Sequence, residues 1–143
     1  MAGGRESLPR ESRLRGEAAF ARVFAHRRSV SDGTIVLYGC PRDDRSSPGG
    51  ARLGLSVSRR VGNAIARNCW KRRIREAFRR VRHDLPEKND FVVVARPGQV
   101  PTQESMERSL VALARRLLAR PGYADPKSGR AVPRQGRSEG GGR

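Results

Sequence analysis

Hydrophobic positions along this chain change between the spacing of helices and the alternation of strands, with polar turns between the segments. In residues 17–26, Phe20, Val23 and Phe24 recur at i, i+3 and i+4, which places them on one helical face. This spacing predicts a short amphipathic helix. Residues 1–12 show neither period and have few apolar side chains, so we expect them to be disordered.

Two strands are predicted after this helix. Residues 34–39 are mostly β-branched, aliphatic or aromatic, and the alternation of a strand puts Val36 and Tyr38 on the same face. Residues 52–58 alternate between Leu or Val on one face and Gly or Ser, including Ser56, on the other. We therefore expect the second strand to have a dry side and a wet side.

The segment 59–80 combines dense positive charge with a helical hydrophobic period. Asn63 can cap its first turn by accepting hydrogen bonds from free backbone amides. At about 100° per residue, apolar and charged positions separate onto opposite faces of the predicted helix. The apolar face comprises Ala66, Trp70, Ile74, Ala77, Phe78 and Val81. The opposite face, which we call the basic stripe, comprises Asn68, Lys71, Arg72, Arg75, Arg79 and Arg82.

A further strand and a last helix complete the predicted domain. Residues 91–95 form a continuous apolar run, which is typical of a central, well-covered strand. Thr102 can cap a helix whose leucines recur at helical spacing as far as Leu118. Gly, Pro, Ser and Arg dominate residues 121–143, which predicts a disordered tail. The order α-β-β-α-β-α predicts one α+β domain over residues 13–120, a small α-β sandwich whose helices cover one face of the sheet.

The charge of the chain restricts its class of partner. It has 31 Lys and Arg against 14 Asp and Glu, a formal net charge of +17. Such an excess destabilises a compact monomer by self-repulsion unless a polyanion is present, so nucleic acid is the first partner to consider. An anionic membrane is the second, but the longest apolar run has five residues, far short of a spanning helix. With no secretory signal either, we expect a cytoplasmic protein that uses no membrane.

The residues that usually carry chemistry are scattered. Cys40 and Cys69 lack the paired spacing of a zinc site or a disulfide framework, and the isolated His26 and His83 favour solvated or edge positions. Acidic residues in polar segments are better explained as solvated turns than as a metal site: Asp43, Asp44, Asp84, Glu87 and Asp90. We therefore expect no catalytic residue, no metal ligand and no small-molecule substrate on this chain.

The basic stripe allows two interpretations. It could be a solvated face kept charged for solubility, but such a face would normally mix in acidic residues. Like charges at i,i+4, such as Lys71–Arg75 and Arg75–Arg79, cost an isolated helix a few tenths of a kcal/mol each. Facing phosphates, the same spacing becomes favourable, because each cation can release a counterion and Arg forks onto phosphate oxygens. We therefore predict a nucleic-acid-binding face.

A second surface indicates which kind of nucleic acid the protein binds. Phe20 and Phe24 could line a groove with Val36 and Tyr38 of the first strand and Ser56 of the second, although periodicity alone also allows both Phe side chains to be core. If they are partly exposed, an aromatic groove beside cations suits an unpaired strand, because bases stack on it without sequence readout. This surface favours RNA with an unpaired segment.

Residues 58–79, SRRVGNAIARNCWKRRIREAFR, resemble the signature of the bacterial ribonuclease P protein component. The most specific parts are Val-Gly-Asn-Ala at 61–64, the Arg67-Asn68 pair, and Lys71-Arg72 followed by Arg75. LGLSVS before this segment and RLRGEAAFARVF upstream agree with the same family.

The resemblance implies a left-handed βαβ crossover, which breaks the usual right-handed rule. It also implies that the chain is the non-catalytic subunit of ribonuclease P, an endoribonuclease that removes the 5′ leader of precursor tRNA. Its partners are then the catalytic RNA and precursor tRNA. Mg²⁺ held by the RNA, with no protein ligand, would activate the water that hydrolyses the phosphodiester.

The resemblance also assigns residues. The leader cleft comprises Phe20, Phe24, Val36, Tyr38 and Ser56, with Arg67 and Lys71 at its edge. The surface for the catalytic RNA and nearby phosphates comprises Arg59, Arg60, Asn68, Arg72, Arg75 and Arg79. The family usually has Arg where Cys69 stands, which implies the loss of a peripheral contact. Two other functions stay open: a structural RNA-binding protein of ribosomal type, and sequence-specific DNA binding, although no helix-turn-helix partner precedes the basic helix.

Overall fold

Three helices and a four-stranded sheet form in the computed structural model, which describes residues 8–42 and 50–124. The helices are α1 (Glu17–His26), α2 (Ala64–Val81) and α3 (Gln103–Leu118). The strands are β1 (Ser29–Ser31), β2 (Ile35–Pro41), β3 (Arg52–Ser56) and β4 (Asn89–Ala95). The predicted α+β class and element order are confirmed, apart from the added β1, whose three residues are too short to show an alternation.

The strand order in the sheet is β1-β2-β4-β3. β1 with β2 and β2 with β4 are antiparallel pairs, whereas β3 and β4 are parallel. A parallel pair needs a crossover connection, and α2 supplies it between β3 and β4. β4 is a central strand, as its apolar run predicted, with Val92 and Val93 at 0% exposure. The left-handed sense of the crossover stays an expectation of the resemblance.

The helix caps form where the sequence predicted them. Asn63 Oδ1 accepts a hydrogen bond from the Ala66 amide at 3.0 Å, and Thr102 Oγ1 accepts one from the Ser105 amide at 3.1 Å. The predicted apolar face of α2 is buried, except for Ala66, which is partly buried. Across residues 8–42 and 50–124, no helix combines the length and the apolar character that crossing a bilayer requires.

The helices lie on both faces of the sheet, so the expectation that they cover one face is wrong for α1. α2 and α3 enclose the larger core with Ile35, Leu37 and Val93 on one face. α1 packs on the other face, where Val23 contacts a smaller core that includes Val92. The physical reason is that β2 and β4 carry apolar side chains on both faces, and both faces need cover.

The packed structure extends past both predicted domain boundaries. Leu8 is buried, and Arg10–Ser12 form a short 3-10 helix. Tyr123 is buried in the larger core beyond the end of α3. These positions, expected to be disordered, instead pack on the domain. Residues 1–7 and 125–143, and Asp43 and Asp44, lie outside the described residues.

Candidate nucleic-acid interface

One face of the sheet forms the floor of a groove beside α1. Val36 of β2 and Ser56 of β3 both pair in register with Val94 of β4, so the three residues form a row across the sheet. All three are partly exposed. The prediction omitted Val94, because a continuous apolar run does not reveal which face of a strand is open. Its register opposite Val36 and Ser56 is the signal that identifies it.

α1 supplies an aromatic wall along one side of this floor. Phe24 meets Tyr38 edge to face, with ring centroids 4.8 Å apart and ring planes at 77°. Phe20 lies over Gly54, where a Cβ atom would stand 2.6 Å from Phe20 Cζ. The absence of a side chain therefore lets the ring approach β3. Gly54 is covered by this ring, so the alternation was wrong to place it on a wet side.

Phe20 and Phe24 belong to the core and to the groove at once. Both pack against the smaller core, which is made of Leu14, Val23, Cys40 and Val92. Both also keep part of their side chain exposed beside the floor. Periodicity left open whether Phe20 and Phe24 are core residues or groove residues. Each ring is both, because one part of it packs in the core and another part is exposed.

The outward face of α2 presents cations to solvent. Asn68, Arg72 and Arg75 are exposed, and so are Arg59 and Arg60 in the short 3-10 helix before α2. Within the part of the chain that the structure describes, none of these four arginines pairs with a carboxylate. Their charge is therefore available to an external anion.

Arg67 and Lys71 occupy the flank of α2, between its exposed and buried faces. Both are partly buried, and Arg67 Nη1 donates a hydrogen bond to the Gly62 carbonyl at 3.3 Å. The chain leaves β3 at Ser56, a residue of the groove floor, and begins α2 at Ala64. Arg67 and Lys71 therefore lie in the part of α2 that is closest in sequence to the groove.

Other cations of α2 are held by protein partners. Arg79 Nη2 lies 2.6 Å from Glu76 Oε2, and Arg80 Nε lies 2.9 Å from Glu107 Oε2. Arg79, which the sequence assigned to the RNA-binding surface, thus has its charge offset by a neighbouring carboxylate. It differs in this from the exposed arginines of the same helix.

A buried carboxylate joins the far end of the sheet to α1. Asp90 is 0% exposed and lies 2.5 Å from Arg22 Nη2, 3.1 Å from Arg42 Nη1 and 2.8 Å from Arg52 Nε. Burial alone would raise the pKa of Asp90, but the hydrogen bonds and charges of these arginines outweigh it and hold the pKa below its ordinary value. The expectation of a solvated turn is wrong here, because the partners lie 38 to 68 positions away in the sequence.

His26 is also buried, which corrects the expectation of a solvated or edge position. Its Nε2 lies 2.7 Å from the carbonyl oxygen of Tyr123, and the two rings meet edge to face with centroids 5.5 Å apart. This contact joins the end of α1 to the chain beyond α3. It spans 97 positions, so no local pattern could have predicted it.

Comparison with known proteins finds relatives over most of the chain. The family model described as Ribonuclease P matches residues 8–118. The chain is 38% identical over 110 residues to the ribonuclease P protein component of Brevibacillus brevis, covering 76% of this chain and 85% of that protein. It is 36% identical over 110 residues to the ribonuclease P protein component of Bacillus pumilus, covering 76% and 90% of the two proteins.

Solved structures show the same fold. The RNase P protein of Staphylococcus aureus is 32% identical, with a TM-score of 0.61 over 73% of this chain and 93% of that one. The RNase P protein of Thermotoga maritima is 28% identical, with a TM-score of 0.63 over 73% of this chain and 96% of that one. The similarity therefore covers nearly the whole of these two solved proteins and about three quarters of this chain.

Proposed function

Because this chain belongs to the ribonuclease P protein family, we propose that it is the protein subunit of that endoribonuclease and acts while bound to a catalytic RNA. The observation that carries this role is the presence of two surfaces on one domain: exposed arginines on and before α2, and an aromatic-walled groove beside α1. The first suits the phosphates of a folded RNA, and the second suits an unpaired strand. The chain contributes binding and positioning, and the RNA carries the chemistry.

The exposed arginines would hold the catalytic RNA. Arg59, Arg60, Arg72 and Arg75 have no carboxylate partner among the described residues, so each can replace a counterion at a phosphate. Arg also binds phosphate through two parallel hydrogen bonds, which fixes orientation as well as affinity. Asn68, exposed on the same helix, can donate and accept further hydrogen bonds.

The groove would bind the 5′ leader of precursor tRNA. The partly exposed rings of Phe20, Phe24 and Tyr38 offer apolar surface to bases without reading their sequence. Arg67 and Lys71 would add positive charge at its edge. Mature tRNA has lost the leader, so contacts in the groove strengthen binding of the substrate and leave the product to dissociate. Both RNA partners would be met in the cytoplasm.

The Mg²⁺ that the reaction needs would be held by RNA oxygens, which suit this hard cation. When bound, the ion would activate the attacking water. Asp90, the buried carboxylate on the groove face of the sheet, is bound by three arginines and is poorly suited to a cation. Across residues 8–42 and 50–124, no group of three or more His, Cys, Asp or Glu side chains is placed to hold a metal.

Reconstitution with the catalytic RNA tests this function. The protein alone should cleave no precursor tRNA, whereas adding it to the RNA should support processing at Mg²⁺ concentrations where the RNA alone is slow. Cleavage of a labelled precursor at the mature 5′ end is the measurement. Co-purification with a ribosomal subunit, together with no stimulation of the RNA, would instead favour the structural RNA-binding alternative.

Replacing Phe20 by alanine should selectively weaken leader binding. Loss of a stacking surface is expected to reduce the affinity of the reconstituted enzyme for precursor tRNA by about tenfold, with little change for mature tRNA. Both affinities can be measured by titration with fluorescent RNA.

Leu118→Ala is the matched control for Phe20→Ala. Leu118 is a partly buried apolar residue of the larger core, on the other face of the sheet. It should alter stability without altering the ratio of the two affinities. Equal losses for precursor and mature tRNA in a folded Phe20→Ala variant would mean that this ring serves the core alone.

A further inference from the structure

Tyr123 lies beyond α3 and beyond the segment that the family model matches, yet it is buried, with 3% exposure. Its hydroxyl donates a hydrogen bond to Asn89 Oδ1 at 2.7 Å, at the start of β4. Gly39 of β2 leaves room for it, because a Cβ atom there would stand 2.8 Å from the Tyr123 hydroxyl oxygen. The side chain is therefore held against two strands of the sheet.

The backbone of Tyr123 is bound to α1. Its carbonyl oxygen can only accept a hydrogen bond, so His26 Nε2, 2.7 Å away, is the donor. His26 is the last residue of α1, and Arg27 directly after it takes a left-handed backbone conformation, with φ at 59°, that ends the helix. Tyr123 thus connects β2 and β4 to the C-terminal end of α1.

α1 carries its polar contacts and its groove residues on opposite flanks. At about 100° per residue, Arg22 and His26 share one flank of the helix. Phe20 and Phe24, the aromatic wall of the groove, share the other. Val23 lies between the two flanks and points into the smaller core, with 0% exposure. The helix therefore rests on Val23, with its polar contacts on one side and its rings on the other.

A helix of ten residues keeps its orientation only through tertiary contacts, because helices this short are marginal on their own. The polar flank of α1 has two such contacts: Arg22 with the Asp90 carboxylate, and His26 with Tyr123. Both oppose rotation of the helix about its own axis. Since a helix turns as a unit, rotation that lifts the polar flank moves the aromatic wall relative to the groove floor.

We propose that Tyr123 is a positioning residue for leader binding: by holding His26, it sets the orientation of α1 and so the place of the aromatic wall. This role rests on the proposed function, because it takes the 5′ leader as the strand in the groove. The Tyr123 side chain is buried in the larger core, on the other face of the sheet, and is closed to RNA. It therefore acts on the leader through α1.

Tyr123→Ala, tested in the full-length protein reconstituted with catalytic RNA, should weaken precursor tRNA binding by about fivefold, a typical size for a mutation that acts through packing. Affinity for mature tRNA should change little. The log–log slope of affinity against salt concentration should also stay the same, because no cation is removed. Leu118→Ala, in the same core, should leave the preference for precursor unchanged. Binding is compared at a temperature where circular dichroism shows each variant fully folded.

Two substitutions at His26 isolate the hydrogen bond to Tyr123, and they decide the question where Tyr123→Ala does not fold. Glutamine can donate to the Tyr123 carbonyl, whereas leucine cannot. His26→Leu should therefore weaken precursor binding about as much as Tyr123→Ala, and His26→Gln should retain most of the affinity. Added to Tyr123→Ala, His26→Leu should have little further effect, because both break the same contact.

The place of the wall can also be measured without RNA. Nuclear Overhauser effects should connect the rings of Phe24 and Tyr38, whose centroids are 4.8 Å apart. These effects should weaken in folded Tyr123→Ala and His26→Leu proteins. They should persist in His26→Gln and Leu118→Ala.

The outcomes separate this role from the function on which it rests. A folded Tyr123→Ala protein with wild-type ring contacts and wild-type precursor affinity would overturn the positioning role alone. Equal losses in Leu118→Ala would also overturn it, because any loosening of the core would then have the same effect. A wild-type enzyme that does not prefer precursor to mature tRNA would overturn the leader-binding function, whereas weakened ring contacts in Tyr123→Ala would still support the control of α1 by Tyr123.

Discussion

Replacing Arg72 and Arg75 together by alanine is expected to lower the affinity for the catalytic RNA by tenfold or more at moderate salt. Both side chains are exposed, and neither has a carboxylate partner among the described residues, so each can bind a phosphate. Removing two phosphate contacts should reduce the log–log slope of affinity against salt concentration by about 1.4 to 1.8. Equilibrium binding at several salt concentrations measures both quantities.

The matched control is Arg115 and Arg116 replaced together by alanine. These residues are exposed on α3, so the variant loses the same charge at a different surface. Its slope should stay close to that of the wild type. Equal reductions in the two variants would mean that RNA responds to net charge alone, and an unchanged slope in the first variant would mean that Arg72 and Arg75 face only water.

Asp90→Ala is expected to reduce the free energy of unfolding by about 3–5 kcal/mol, the usual effect of removing one partner from a buried charge cluster. Asp90 is 0% exposed, and Arg42 has 3% of its side chain exposed. The variant leaves the Arg42 and Arg52 guanidinium groups in place without the carboxylate that they share. Urea denaturation of the protein measures the loss, and Asp84→Ala, at an exposed acid, should change stability by less than about 0.5 kcal/mol.

The same carboxylate makes stability depend on pH in a defined direction. The pKa of Asp90 is lower in the folded protein than its ordinary value, because the arginines that surround it outweigh the effect of burial. Its contribution is therefore present above the unfolded pKa, near about 3.9, and is lost as the pH falls through the folded pKa. Asp90→Asn should flatten the decline in stability below about pH 4. A variant with the wild-type acid dependence would contradict this assignment.

Local sequence patterns predicted most of the fold. The caps at Asn63 and Thr102, the buried face of α2 and the central position of β4 all follow from spacing within one segment. β1 was missed because three residues contain too little pattern. The position of α1 on the opposite face was also missed, since periodicity defines which side of a helix is apolar but not which surface it covers.

The sequence likewise predicted some residues of the candidate site and missed others. The exposed arginines of α2 could be predicted, because a helix converts sequence spacing directly into a face. Val94 was not found, because its place on the groove floor depends on its strand register with Val36 and Ser56. Asp90 was wrongly taken for a solvated turn residue, since its arginine partners come from three separate segments.

By itself, the sequence determined most of the secondary structure and the charged face of the basic helix, and its motifs indicated the family to which the chain is similar. The helices, the longer strands and the charged face depend on interactions within one turn or one strand, whose geometry is set by the backbone. The tertiary structure alone decided what shares a surface: an aromatic wall beside a floor built from three strands, and a buried carboxylate that binds three arginines. Such groupings depend on contacts between residues far apart in the chain, and only packing of the whole domain brings them together.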